Sequence, residues 1–195
     1  ENPDTYTLNE VETGVNYAML ISTSGGLWRY LLGDTIEFTS LQPHLFKITG
    51  RTKHFINAFG EELMIDNAES ALEEACKVTH AKITEFTAAP VFFGDDNNGA
   101  HEWLIEFETP PSDMELFTLT LDKALKDLNS DYEAKRSYNL SLRKPIIKVL
   151  PQNFFYDWMK WKEKAGGQNK VPRLANDRKY VDSILRFLSE STKIE

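Results

Sequence analysis

Only one cysteine, Cys76, occurs in the 195 residues, so no disulfide can close within this chain, and a reducing compartment fits it. As a lone thiol it is expected to pack as a small hydrophobe. No apolar run approaches the roughly 20 residues needed to span a bilayer, and the opening "ENPDTYTLNE" is polar and acidic rather than signal-like. A cytoplasmic protein without a membrane partner is expected. Basic charge is also scarce, with 22 Lys and Arg against 30 Asp and Glu and a net charge of -8. That balance argues against a main task of neutralising nucleic-acid phosphate or anionic lipid, although local basic pockets stay open. His44, His54, His80 and His101 are scattered, and with a single cysteine they make no zinc spacing, so no metal site is expected. G-x-S-x-G, the Walker-type glycine loop and G-x-G-x-x-G are all missing.

What remains is the composition of a folded protein, 41% hydrophobic and 12% aromatic, enough for one domain and part of another. Because strand-like sequence follows soon after Glu1, excision from a longer polypeptide is expected, with loss of a leader as the other possibility.

From Asn16 to Arg51 the chain is a series of β-type runs, "NYAMLIS", "LWRYLL", "TIEFTS" and "LFKITGR", divided by the turn chemistries "TSGG", "GD" and "QPH". This predicts a small β-rich piece, too short to be comfortable alone. "KHFINAFGEELMI" reads as a hairpin bent at Gly60. The period then changes. Ala68, Ala71, Leu72 and Ala75 recur at helical spacing behind a cap at Asp66 or Asn67. Two strands, "KITEFTAAPVFF" and "HEWLIEFE", flank a polar tip. A second helix is predicted behind a cap at Ser112, with Leu116, Leu119, Ala124, Leu125 and Leu128 as its apolar stripe. "KPIIKVL" is a strand, "NFFYDWMKWKEK" a helix, "AGGQNKVPRL" a loop and "NDRKYVDSILRFL" a terminal helix. The expected class is α+β, a mixed or antiparallel sheet flanked by helices over 52–195, preceded by a β-rich remnant over 1–51.

Three positions invite chemistry. Asp34 ends "WRYLLGD", where a carboxylate can accept two hydrogen bonds from a vicinal diol, or can simply serve a Gly-Asp turn. Trp28 and Tyr30 share a face if the strand is regular, and core packing would explain them. Arg51 closes "FKITGR", where its fork can meet a phosphate or sugar, or only water. Lys170, in "GGQNKVPRL", is left on a glycine-rich loop as a point charge, and Arg173 can equally be the reaching cation.

The order of these signals resembles the closing portion of the adenylate-forming superfamily, in which Y-x-x-G-D precedes a G-R hinge and a late lysine. More closely, "YLLGD" and "GQNKVPR" are similar to the "YRLGD" and "NQYK-x-PR" of the Gretchen Hagen family of acyl acid amido synthetases, the auxin-responsive type also present in bacteria. A bacterial member is expected. The resemblance spans about Val15 to Leu188. It implies the end of a large adenylating domain (1–51) followed by a C-terminal lid domain (52–195), with the acyl pocket and phosphate loop upstream. It also implies that Asp34 holds the ribose hydroxyls of ATP, that Tyr30 lies near the nucleotide, and that Arg51, Thr52 and Lys53 form the hinge. Arg51 would contact ribose or phosphate, and Lys170 would be the catalytic cation.

The function so implied is ATP- and Mg2+-dependent activation of a small carboxylic acid to acyl-AMP, then amide formation with an amino acid. The partner protein surface is the remainder of the chain's own N-terminal domain, and the fragment alone is expected to be inactive. "FGEELMI", with Glu61 and Glu62, departs from the acidic-lysine stretch of plant members and moves the local pattern toward acyl-CoA ligases, which use coenzyme A. An acyl-CoA ligase and a non-catalytic α+β interaction module are the alternatives.

Overall fold

A computed structural model describes residues 4–51, 55–93, 98–137, 141–162 and 171–191. The chain divides into two compact units, Glu1–Lys53 and His54–Glu195.

The first unit is an antiparallel meander of β1 (Asn16–Ile21), β2 (Tyr30–Leu41) and β3 (His44–Arg51). β2 joins what the sequence suggested were two strands. The expected Gly-Asp turn is not a turn: between the pairs Ala18↔Thr35 and Leu20↔Leu31, β2 carries four steps against two on β1. The surplus is a bulge, and Gly33, at φ +89°, adopts the backbone that a side chain would resist. Ile36 and Phe38 pack with Val11 as the buried centre, and Phe38 meets Tyr17 and Phe46 edge-on at about 6 Å. Trp28 and Tyr30 do not share a regular strand face. Arg29 between them has φ +47°, Trp28 precedes β2, and both side chains are exposed rather than packed.

The second unit opens with a short hairpin, β4 (Phe55–Ile56) and β5 (Leu63–Met64), in which Gly60 has φ +82° as its bend position requires. α1 (Ile65–Thr79) follows directly. Its cap is Met64, not Asp66 or Asn67. The Asn67 side chain instead reaches back to accept from the Met64 amide at 3.2 Å, satisfying a first-turn donor from inside the helix. Ala68, Ala71, Leu72 and Ala75 are all buried as their spacing predicted.

The sheet comprises β6 (Lys82–Phe93), β7 (Asn98–Thr109) and β8 (Ile146–Leu150), with β6 and β7 antiparallel and β7 and β8 parallel. β7 is central, with a strand paired along each edge, and its two faces pack against different clusters. Trp103, Ile105 and Phe107 pack toward the core that includes α1 and α2 (Met114–Leu128). Leu104 packs toward α4 (Phe154–Trp161) and α5 (Lys179–Ser191). At Gly99 the approach is too close for any side chain: a Cβ there would lie 2.1 Å from the Val91 carbonyl oxygen and 2.5 Å from the Phe59 ring. The α+β class expected from the sequence is the class observed.

α2 differs from expectation in its cap and its face. Asp113, not Ser112, caps it, accepting from the Glu115 and Leu116 amides at 2.8 and 3.0 Å, while Ser112 bonds the Thr79 carbonyl. The buried stripe is Phe117, Leu121, Ala124 and Leu125, and Leu116, Leu119 and Leu128 are exposed. Phe117 is the larger apolar anchor, and burying it against Phe107 turns the helix away from the stripe drawn through leucines.

α3 (Ser130–Arg136) was not anticipated. It is held by a buried ionic cluster: Asp122 of α2 accepts from Arg136 at 2.6 and 2.7 Å, Tyr132 at 3.0 Å and Lys126 at 2.7 Å. Burial pushes the Asp122 pKa up, but hydrogen bonds and charge from Arg136 and Lys126 outweigh it and hold the carboxyl below its ordinary value.

Candidate functional site

The bulge in β2 determines where Asp34 sits. Past it, Asp34 pairs with Arg51 across β2 and β3, so these two positions, 17 apart in sequence, lie directly opposite. The structure therefore brings together two of the residues singled out from sequence, at the last step of the sheet before residues 52–54. Thr52 and Lys53 lie outside the described residues. Tyr30 begins β2 opposite Ile21, half exposed, four residues before Asp34. The turn ahead of it is held by Ser22, whose Oγ accepts from the Arg29 amide at 3.0 Å.

Lys170 also lies outside the described residues. The strip just after it is described, and it belongs to the second unit. The Ala88 amide donates to the Arg173 carbonyl at 2.8 Å, and the Ala175 amide donates to the Ala88 carbonyl at 3.1 Å. The strip thus runs parallel to β6 as a one-step bridge. Thr87 Oγ1 adds a 2.6 Å bond to the Pro172 carbonyl, and Val171 and Leu174 are buried. Arg173, the rival cation, is engaged: it pairs with Glu69 of α1 and with Glu85 of β6, the latter at 3.3 Å, and its guanidinium lies 5.3 Å from the Phe86 ring centre.

Two arrangements escaped sequence reasoning. Glu61, noted only as a departure from plant sequences, is fully buried; its carboxylate accepts from the Phe59 amide at 2.7 Å and meets His101 Nε2 at 2.7 Å. A Glu and a His 40 positions apart have no sequence signal of their own. Glu102 on β7 is gripped by Lys148 at 2.8 Å and Arg178 at 2.7 Å. Burial raises its pKa, but these two cations more than reverse that and keep it below the ordinary carboxylate value. Glu106, four residues on, accepts from the Asn153 and Phe155 amides and so caps α4 from the sheet.

A groove of about 360 Å³ runs between α1 and the first half of β6, lined by Leu72, Cys76, Ile83, Phe86 and Arg173 among others. Neither Tyr30 nor Asp34 is among its described lining residues. Burial pushes the Cys76 thiol pKa up, away from a reactive thiolate. Among the described residues no three His, Cys, Asp or Glu side chains come together to hold a metal ion, and no helix is long and apolar enough to cross a membrane.

Residues 1–51 match the model of the GH3 family central domain, and residues 66–179 match that of the GH3 family C-terminal domain. The chain is 25% identical over 183 residues to indole-3-acetic acid-amido synthetase GH3.3 of Arabidopsis thaliana, covering 89% of this chain and 31% of that protein. To GH3.4 of the same plant it is 24% identical, covering 85% and 30%. The chain thus spans about a third of the length of these curated relatives, and since both are plant proteins the expected bacterial source finds no support. Among solved structures it resembles GH3.15 acyl acid amido synthetase with a TM-score of 0.73 at 19% identity, over 92% of this chain and 34% of that one. It is more distantly similar to a 2-hydroxyisobutyryl-CoA ligase solved in its postadenylation state, with a TM-score of 0.51 at 13% identity, over 95% and 36%.

Proposed function

Since the chain belongs to the GH3 family, we propose that it forms the C-terminal part of an ATP-dependent acyl acid amido synthetase. The observation that carries this is the match of two consecutive pieces, 1–51 and 66–179, to the central and C-terminal domains of one family in their order. The reaction we assign to the whole protein has two steps. A carboxylate oxygen attacks the α-phosphorus of ATP, forming acyl-AMP and releasing pyrophosphate. The amine of an amino acid then attacks the acyl carbon, an amide C–N bond forms, the amine gives up a proton, and AMP leaves.

Within that reaction Asp34 accepts hydrogen bonds from the two ribose hydroxyls, which a charged acceptor strengthens. Its register with Arg51 supports a shared nucleotide edge, with Arg51 contributing positive charge toward ribose or phosphate and Tyr30 lying near the nucleotide. Lys170 offsets the charge that develops around the α-phosphate and carboxylate, a preorganised electrostatic role. Magnesium accompanies the nucleotide, bound largely by its phosphate oxygens. We place the hinge at Arg51–Lys53, with 1–51 closing the large domain and 52–195 forming the lid. The acyl pocket and phosphate loop belong to the remainder of the N-terminal domain, so the 195 residues alone are inactive. A cytoplasmic location suits the reducing chemistry of a single thiol.

The test uses the full-length protein. Pyrophosphate exchange into ATP, driven by a panel of acyl acids, should fall by about 100-fold or more in Lys170→Ala, and unchanged exchange would sink the lysine's role. Product analysis with amino acids against coenzyme A separates an amide from a thioester. A full-length protein that neither binds ATP nor exchanges pyrophosphate would instead favour a non-catalytic interaction module.

A further inference from the structure

The strip that follows Lys170 is held more firmly than a loop requires. Its backbone bridges to Ala88, and two side chains tie it to three other elements. Arg173 spans from the strip to Glu69 on α1 and to Glu85 on β6, with its guanidinium over Phe86. Asn176 turns to the opposite neighbour: its Oδ1 accepts from the Asn57 amide at 2.7 Å and its Nδ2 donates to the Phe55 carbonyl at 3.1 Å. One primary amide thereby meets a backbone carbonyl on β4 and the amide of Asn57 just after it, much as a strand residue would.

Stability does not account for the Arg173 tie. The side chains are 41% exposed for Arg173, 45% for Glu69 and 30% for Glu85, and ion pairs so open to water contribute little to folding. A planar fork shared by two carboxylates and stacked on a ring does, however, restrict orientation strongly. The same fork also removes Arg173 as a mobile cation.

We propose that Arg173 and Asn176 are positioning residues: they fix 171–176 relative to β6 and to β4, as the mount from which Lys170, the residue before it in sequence, acts. This rests on the role given to Lys170 above, and it adds that the chain is fixed from the buried Val171 onward. A misplacement on the scale of 1 Å at a reacting group can cost about 100-fold in rate, which is the lever such a mount controls.

The experiment compares Arg173→Gln, Asn176→Ala and the double variant Glu69→Gln/Glu85→Gln in the full-length protein, with Lys170→Ala alongside. In all three, kcat for pyrophosphate exchange should fall by about 10- to 100-fold with KM for ATP little changed, while the thermal midpoint barely moves. Hydrogen exchange at the Ala88 and Ala175 amides should quicken in Arg173→Gln. Arg173→Lys should not restore the rate, because an ammonium cannot fork between two carboxylates. Loss of rate in Arg173→Gln with a normal Glu69→Gln/Glu85→Gln enzyme would mean that the guanidinium itself meets substrate, overturning the proposal. Unchanged amide exchange in Arg173→Gln would overturn it as well. An inactive Lys170→Ala beside normal Arg173 and Asn176 variants rejects the mount alone. A normal Lys170→Ala rejects the site reading, and the functional role of the mount falls with it.

Discussion

The two units of this chain are built on opposite terms with water. In Glu1–Lys53 the buried centre is Val11, Ile36 and Phe38, while Leu31, Leu45, Phe46 and Ile48 of the same sheet stand exposed. In His54–Glu195 the sheet is covered on both sides, with Trp103 and Phe117 fully buried on one side and Leu104 and Ile184 on the other. A three-stranded meander with one thin core sits at the lower limit of independent stability. Exposed leucines, an isoleucine and a phenylalanine on one sheet are the surface a larger neighbour would cover, in keeping with a chain that spans a third of its relatives. Compactness by itself, then, does not make a domain; a closed core does.

Separating the units is the most severe test of this contrast. Residues 54–195 produced alone should give a cooperative thermal transition by circular dichroism, and residues 1–53 none; a cooperative melt of the short piece would break the comparison. Next in size, Trp103→Ala should destabilise the chain by about 3–5 kcal/mol in denaturant titration, whereas Phe38→Ala should leave the transition of the second unit where it was.

Asp122→Asn should cost about 3 kcal/mol, because it leaves Arg136 buried without its counter-charge. The sign of its pH dependence follows from the depressed native pKa of Asp122. Its contribution is present above the unfolded-chain value near 4 and is lost as pH falls through that value toward the native one. The variant should therefore show a flatter loss of stability on acidification than the parent. The smallest effect is expected at Ile48→Ser: within about 0.5 kcal/mol in this chain, but about 1.5–3 kcal/mol in the full-length protein if the large domain buries that side chain. Equal effects in both settings would remove the covering neighbour.

Much of the second unit was legible because periodicity reports burial directly. Ala68, Ala71, Leu72 and Ala75 recur at helical spacing, and the β-branched and aromatic stretches of β6 and β7 read as strands around a polar tip. The α2 stripe was misjudged because Leu116, Phe117, Leu119 and Leu121 offer two overlapping faces, and the choice between them is made by Phe107 across the core. Caps slipped by one to three residues for a related reason: Asn67 and Ser112 are the right residue types, but each serves a different backbone group from the one assumed. At the site, the residue types were readable and the geometry was not. Nothing in "YLLGD" shows that the strand continues through Gly33, since a turn and a bulge both call for glycine at positive φ. Glu61 with His101, and Asn176 with Asn57, join positions 40 and 119 apart, and no local pattern carries such a pairing.

By itself the sequence determined the α+β class, the alternation of strand and helix, and the ordered motifs around Asp34, Arg51 and Lys170, because each is encoded within a short window of side-chain chemistry. Only the tertiary structure decided that Asp34 pairs with Arg51 across a bulged strand, that Arg173 is tied down rather than reaching, and that Glu61 and Asp122 are buried with partners. Those outcomes depend on strand register at Asp34 and on packing between distant segments at the others, and neither is written into a short stretch of sequence.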